Sequence, residues 1–151
     1  MKIWQWLGYF GLTPFLACLW LVKFPIQSLP IDPQQAFLFY SAIILSFLSG
    51  TLWPKDQVHI KADDQPKKYA CASSAKQVMS NSFCLYAFFC LFLPCFFQLF
   101  MLPLGYMLIL LAEYILFKEF QDSFTVAYCK MRAILTISVV FLHFVALNSW
   151  F

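Results

Sequence analysis

Charge is what this sequence has least of. Lys, Arg, Asp and Glu make up only 11% of its 151 residues, where soluble domains carry about 25%. Hydrophobic residues reach 62%. A soluble fold of this length cannot hide so much apolar surface, so lipid must cover part of it. Histidine occurs twice, at His59 and His143, and glycine four times. There is no His-Glu-x-x-His, no glycine loop to cradle a phosphate and no serine elbow. The six cysteines (Cys18, Cys71, Cys84, Cys90, Cys95, Cys129) form no Cys-x-x-Cys pair, and most lie inside apolar runs. They read as small hydrophobes. Cys84 and Cys95 share a helical face but stand about 16 Å apart along it, too far to share a metal. The formal charge of +3 is small, and the basic residues sit in connecting segments, which argues against a nucleic-acid surface. The expectation is therefore no catalytic residue, no cofactor and no metal site.

What the chain does have is apolar runs of membrane-crossing length. The central one is YSAIILSFLSGTLW, Tyr40 to Trp53. Its small residues Ala42, Ser46 and Gly50 recur every four positions, a narrow stripe that lets a second helix approach closely in lipid. This span starts at Pro33, with Asp32 as N-cap, Pro33 at the first helical position and Gln35 placed for a capping box. Pro33 to Trp53 covers 21 residues, about 31 Å of helix.

The other spans follow from the same pattern. The first is residues 3–22, flanked by Trp4, Trp6 and Trp20 at interfacial positions, with Gly8 and Gly11 as a close-contact patch and a kink at Pro14. It fits an uncleaved span better than a signal peptide, having one early lysine and no small-residue cleavage site. Residues 54–79 hold five lysines and three aspartates and read as a solvated loop, partly helical near Ala70 to Met79; a lipid-headgroup patch is the alternative. A hairpin of two spans, 80–97 and 103–117, is expected to turn around Gln98 to Pro103. An amphipathic return loop, Lys118 to Lys130, with Asp122 placed as N-cap for a helix through Phe124 to Met131, leads to the last span, 132–150, ending on Trp150. The predicted fold is all-α: one domain, 1–151, a polytopic membrane bundle of five transmembrane helices.

Basic residues set the orientation. Lys2, Lys55, Lys61, Lys67, Lys68, Lys76, Lys118, Lys130 and Arg132 fall on one side, and Lys23 alone on the other, nine against one of the ten present. The positive-inside rule then places the N-terminus and the 54–79 loop in the cytoplasm and the C-terminus across the membrane.

Three stretches together carry a resemblance: LGYFGLTPFLA (Leu7 to Ala17), YSAIILSFLSGTLW, and AYCKMRAILT (Ala127 to Thr136). The chain resembles a domain-of-unknown-function family of small five-span proteins of bacterial inner membranes, related to the mitochondrial transmembrane protein 69 of animals. In that family a His-Trp pair usually ends the central motif, where this chain has Leu52-Trp53; a Trp-Tyr pair opens the late one, where it has Ala127-Tyr128. The resemblance implies a fold and an inner-membrane location, and no activity. Absence of the motif histidine weakens an enzymatic reading.

The ionisable residues at membrane depth are Glu113, Arg132 and His143, positions costly enough to need internal partners. For Glu113 and Arg132 the choice lies between separate snorkelling to water and a direct ion pair between the last two spans. His143 falls about 16 Å past Arg132, near mid-membrane. It should face inward, toward Ser41, Ser46 or Tyr106, either as a neutral structural group or as a protonatable site on a solute path. Among function classes, a structural, interaction or assembly component of a membrane complex comes first, with lipid as solvent and a membrane-protein partner or a second copy as companion. A lipid, quinone or small-solute binding or transport protein is the alternative, and a membrane-embedded enzyme ranks last.

Overall fold

The computed structural model of the protein describes residues 8–24, 30–52, 66–117 and 123–151, with side chains described outside 66–75 and 123–127. Within these residues there are five α-helices: α1 (Thr13–Lys23), α2 (Pro33–Ser49), α3 (Pro66–Cys90), α4 (Cys95–Phe117) and α5 (Ser123–Trp150). The all-α expectation holds. Three helical stretches are long and apolar enough to cross a membrane: Pro33–Leu52, Cys95–Ile115 and Tyr128–Trp150. Gly8–Lys23 is a shorter apolar helical segment.

α2 begins as its sequence requires. Asp32 is the N-cap, its carboxylate accepting from the Gln34 amide at 3.3 Å, and Pro33 fills the first position. Its far end tightens into a 3-10 turn, Gly50–Leu52. Two hydroxyls turn back toward the chain here: Ser49 donates to the Ser46 carbonyl at 2.6 Å, and Thr51 Oγ1 lies 2.7 Å from the Leu48 carbonyl. Such local bonds compete with the helical ladder and favour a helix end.

The apolar helical segment Gly8–Lys23 is interrupted at residues 11–12, just before Pro14, which lies at the start of α1. A proline has no amide to give the carbonyl four residues back. That carbonyl, on Phe10, accepts instead from the Thr13 hydroxyl at 2.7 Å.

The hairpin differs from expectation in its register. The turn occupies 91–94, not Gln98 to Pro103, so the segment drawn as 80–97 ends at Cys90 and the one drawn as 103–117 starts eight residues earlier, at Cys95. Both prolines mattered, but in opposite roles. Pro94 precedes α4, and its carbonyl accepts from the Gln98 amide at 3.1 Å. Pro103 sits inside the helix, where neighbouring groups in a bundle compensate for a lost bond. The Gln98 side chain then closes the turn, donating to the carbonyls of Leu91 at 3.1 Å and Leu93 at 2.6 Å. From Ser123 onward the helix expected through Phe124 to Met131 and the last span are continuous, forming the single helix α5. On the other side, α3 extends back to Pro66, making helix of the last part of the expected polar loop. Trp4, Trp6, Trp53, His59 and Asp122 lie outside the described residues.

α2 is the central element. It packs against α1, α3 and α4, while α5 packs mainly on α4 and only sparingly on α1. The core between them is aromatic: Phe15, Phe37 and Tyr106 are buried, with Phe15 and Phe37 in an edge-to-face pair at 5.1 Å. Edge-to-face contact suits the opposite charges of ring face and ring edge. The outward faces carry Phe10, Trp20, Phe47, Phe92, Phe141 and Phe144, all more than half exposed. That is the surface a hydrocarbon solvent would cover.

The small-residue stripe is not the seam expected of it. Ala42 is buried, Ser46 half-buried and Gly50 exposed, and a Cβ built on Gly50 meets nothing within 4 Å among the described residues. The buried face of α2 runs through Phe37, Leu38, Ser41, Ala42, Leu45 and Ser49. Ser49 accepts there through its carbonyl from the Ser80 hydroxyl of α3 at 2.8 Å. The tightest approach instead involves Gly105 of α4, where an added Cβ would stand 2.7 Å from Leu45 Cδ2 and 2.8 Å from Tyr86 Cε1.

Candidate functional site

Every ionisable group expected at membrane depth is internal. Glu113, Arg132 and His143 are 3%, 5% and 1% exposed. A charge or an imidazole facing hydrocarbon would leave its hydrogen-bonding groups empty, so the helices turn these residues inward.

Glu113 of α4 and Arg132 of α5 form a forked ion pair. Arg132 Nε donates to Oε2 at 3.0 Å and Nη2 to Oε1 at 2.5 Å. This two-point geometry matches the planar guanidinium to the carboxylate, and charge-assisted bonds of this kind are the strong ones. Thr51, in the 3-10 turn after α2, adds its hydroxyl to Oε1 at 2.5 Å. Its single proton faces both this carboxylate and the Leu48 carbonyl, and the anion is the stronger acceptor. The pair therefore ties three helical elements at one level. The Tyr128 ring stands beside it, 5.9 Å from the guanidinium carbon. Sequence reasoning named Glu113 and Arg132 and missed Thr51, although its place at the end of the same span matches their depth.

His143 is held one layer deeper. Its Nδ1 lies 2.8 Å from the Val139 carbonyl and its Nε2 2.9 Å from Ser41 Oγ. A carbonyl can only accept, so Nδ1 carries the proton. In the neutral ring Nε2 then accepts from the Ser41 hydroxyl. Tyr106 reaches the same residue by another route, donating to the Ser41 carbonyl at 2.8 Å. Of the hydroxyls considered for His143, Ser41 is thus the direct partner, Tyr106 an indirect one, and Ser46 bonds through its carbonyl to Ser49 instead. Phe37 packs edge-on against the imidazole at 4.9 Å, and Phe15 lies 6.0 Å away.

Between the two polar layers there is a half-open cleft of about 140 Å³. Gly8, Gly11 and Leu12 form one wall and Ile44 and Leu48 another, with Phe15 and Tyr106 also lining it. α5 supplies the polar part, Arg132 and Thr136, one turn apart on the same face. Phe47, 73% exposed, stands at its edge. At Gly8 the wall is close-packed, since a Cβ there would stand 2.9 Å from Leu135 Cδ1 of α5.

Two donors in that wall remain unused. Only two of the five guanidinium N–H groups go to Glu113, and among the described residues the others reach no acceptor. The Thr136 hydroxyl has no hydrogen-bond partner among the described residues, although the residue is only 4% exposed. Both residues line the cleft, so these donors are open to an acceptor that enters it; the buried side-chain atoms without a partner among the described residues are Gln98 Oε1 and Trp150 Nε1. Arg132 was singled out in the sequence for its charge, whereas Thr136 figured there only as the end of a motif.

Among the described residues, no three His, Cys, Asp or Glu side chains lie close enough to share a metal ion. The described cysteines, Cys18, Cys84, Cys90, Cys95 and Cys129, are free thiols.

The family described as "Protein of unknown function (DUF3429)" matches residues 1–148. No curated protein and no solved structure matches the chain.

Proposed function

The chain belongs to the DUF3429 family, whose description assigns no activity, and we propose that it is a multi-pass membrane protein that holds a small lipophilic molecule in the cleft between α1, α2 and α5. The observation that carries this reading is the pairing of a cavity with unused donors: Arg132 and Thr136 line about 140 Å³ of otherwise apolar space. Pockets for small molecules have this composition, mostly apolar walls with a few placed polar groups. The reading includes no catalytic step. The Glu113 carboxylate and the His143 imidazole are both engaged in hydrogen bonds within the bundle, which suits groups that hold helices together.

The test is native mass spectrometry after purification in mild detergent. The wild-type protein should carry a small lipophilic mass, and Ile44→Trp, which fills the cleft from its half-buried wall, should not. Equal loading of both proteins would overturn the reading. So would a bare protein isolated with a stoichiometric membrane-protein partner. That last result favours the second reading, an assembly component, for which the observation is the bundle's outward surface: 61–78% of each crossing window lies outside the interior.

For location we propose a bacterial inner membrane, crossed five times, with a cytoplasmic N-terminus and the C-terminus on the far side. The nine-to-one distribution of basic residues supports this, as does the helix count. Relation to the mitochondrial transmembrane protein 69 belongs to the same proposal. A variant retaining Cys71 as its only cysteine checks the orientation. A membrane-impermeant thiol reagent should label it only after the membrane is permeabilised; labelling in intact spheroplasts would reverse the topology.

A further inference from the structure

We infer that the ligand of this cleft is a neutral ring bearing a carbonyl group, the head of a membrane-soluble benzoquinone, with its oxygen between Arg132 and Thr136 and its tail leaving past Phe47. This inference rests on the proposed ligand-binding function and narrows it to one chemical class.

Three observations select the class. The first is charge. Arg132 is already neutralised by Glu113 through a two-point contact, so the wall offers hydrogen-bond donors but no net positive charge. A carboxylate or phosphate entering here would bring an uncompensated charge into a buried site beside Glu113, which is costly in a low-dielectric interior. A neutral carbonyl brings two lone pairs and no charge.

The second is the direction of the hydrogen bonds. The guanidinium only donates, and the Thr136 hydroxyl is free to do so among the described residues. Tyr106, also in the lining, already gives its proton to the Ser41 carbonyl. The donors offered to the cleft are therefore those of Arg132 and Thr136, and a quinone carbonyl, which only accepts, pairs with them.

The third is size. A cavity of about 150 Å³ with apolar walls takes a benzene ring, and this one measures about 140 Å³. A single six-membered ring matches the enclosed volume, and a fused bicycle would have to extend out through the open side. The rings of Phe15 and Tyr106 supply aromatic walls, which suit a flat ring. The exposed edge at Phe47 gives a hydrocarbon tail a way out to lipid.

Calorimetric titration of the purified protein tests the inference, with four probes: a decyl-tailed benzoquinone, its quinol, a decyl-tailed naphthoquinone and decanoic acid. Wild-type protein should bind the benzoquinone at one site, more tightly than the other three. Thr136→Val, which keeps the shape and removes the hydroxyl, should weaken benzoquinone binding by roughly fivefold to tenfold, the worth of one hydrogen bond. Ile44→Trp should abolish it. Melting curves of both variants show whether the fold is kept, and Ile44→Val, which enlarges the wall, serves if the tryptophan does not fold; it should relax the preference over the naphthoquinone. Decanoic acid binding in preference, lost in Ile44→Trp, would overturn the benzoquinone assignment and leave the ligand cleft standing. Benzoquinone binding unchanged in both Thr136→Val and Ile44→Trp would place it elsewhere and overturn the assignment. No binding of any probe, together with a bare protein in native mass spectrometry, would overturn both.

Discussion

Glu113→Gln is expected to lower the stability of the bundle by about 3–5 kcal/mol, because it strands the Arg132 guanidinium as a buried charge without its partner. The geometry leaves Arg132 little room to recover. It is 5% exposed, and its two contacts to Glu113 use a fork that a neutral amide matches poorly. Thr51 would lose its charged acceptor at the same time. Arg132→Gln should cost a similar amount for the mirror reason. The double variant Glu113→Leu with Arg132→Met should recover most of the loss, since replacing both members of a buried pair by apolar groups is often neutral. Reversible unfolding in detergent, arranged as a double-mutant cycle with the two glutamine variants, reads the coupling. A coupling near zero would mean that each side chain finds water separately in solution, and the pair would then not hold α4 to α5.

Gly105→Leu is the second large effect. Gly105 is buried on α4, and even a Cβ there would meet Leu45 Cδ2 at 2.7 Å and the Tyr86 ring at 2.8 and 3.2 Å. Neither neighbour yields easily. Leu45 is fully buried, and the Tyr86 ring is fixed by the bond from its hydroxyl to the Met101 carbonyl at 2.7 Å. Forcing helices apart at a packed contact costs about 1–3 kcal/mol, and sometimes more. Gly105→Ala should show a smaller loss, because the better helix propensity of alanine offsets part of the clash, by about 1 kcal/mol. Gly50→Leu is the control. With nothing within 4 Å among the described residues, it should change stability by no more than about 0.5 kcal/mol. Thermal unfolding of the three variants side by side decides the point. A Gly50→Leu loss as large as that of Gly105→Leu would return the packing seam to the stripe of Ala42, Ser46 and Gly50.

The contrast between these glycines shows what a sequence determines in a protein of this kind. Hydropathy alone fixed that the chain is a helical membrane protein, because hydrocarbon demands internally bonded backbone over a fixed length. Asp32-Pro33 fixed where α2 begins, since capping is a local matter of a few adjacent atoms. Depth also fixed that Glu113, Arg132 and His143 must turn inward, and it narrowed their partners to residues at the same level. Ser41 was among them, because the cost of an empty donor in lipid leaves a histidine few choices.

Rotation about the helix axis was beyond the sequence. On α2 two neighbouring stripes, Ser41-Leu45-Ser49 and Ala42-Ser46-Gly50, both carry small residues, and they differ by one residue, about 100° of turn. Only contact with Ser80, Tyr106 and His143 on other helices chose between them. The hairpin was undetermined for a similar reason. Pro94 and Pro103 look alike in the sequence, and it is the long-reaching bonds of Gln98 that put the turn beside one and the helix through the other. The cleft is the clearest case. It belongs to no single helix: Gly11, Phe15, Ile44, Tyr106, Arg132 and Thr136, from separate parts of the chain, line it together, a fit set by volumes in three dimensions and not by any spacing along the chain.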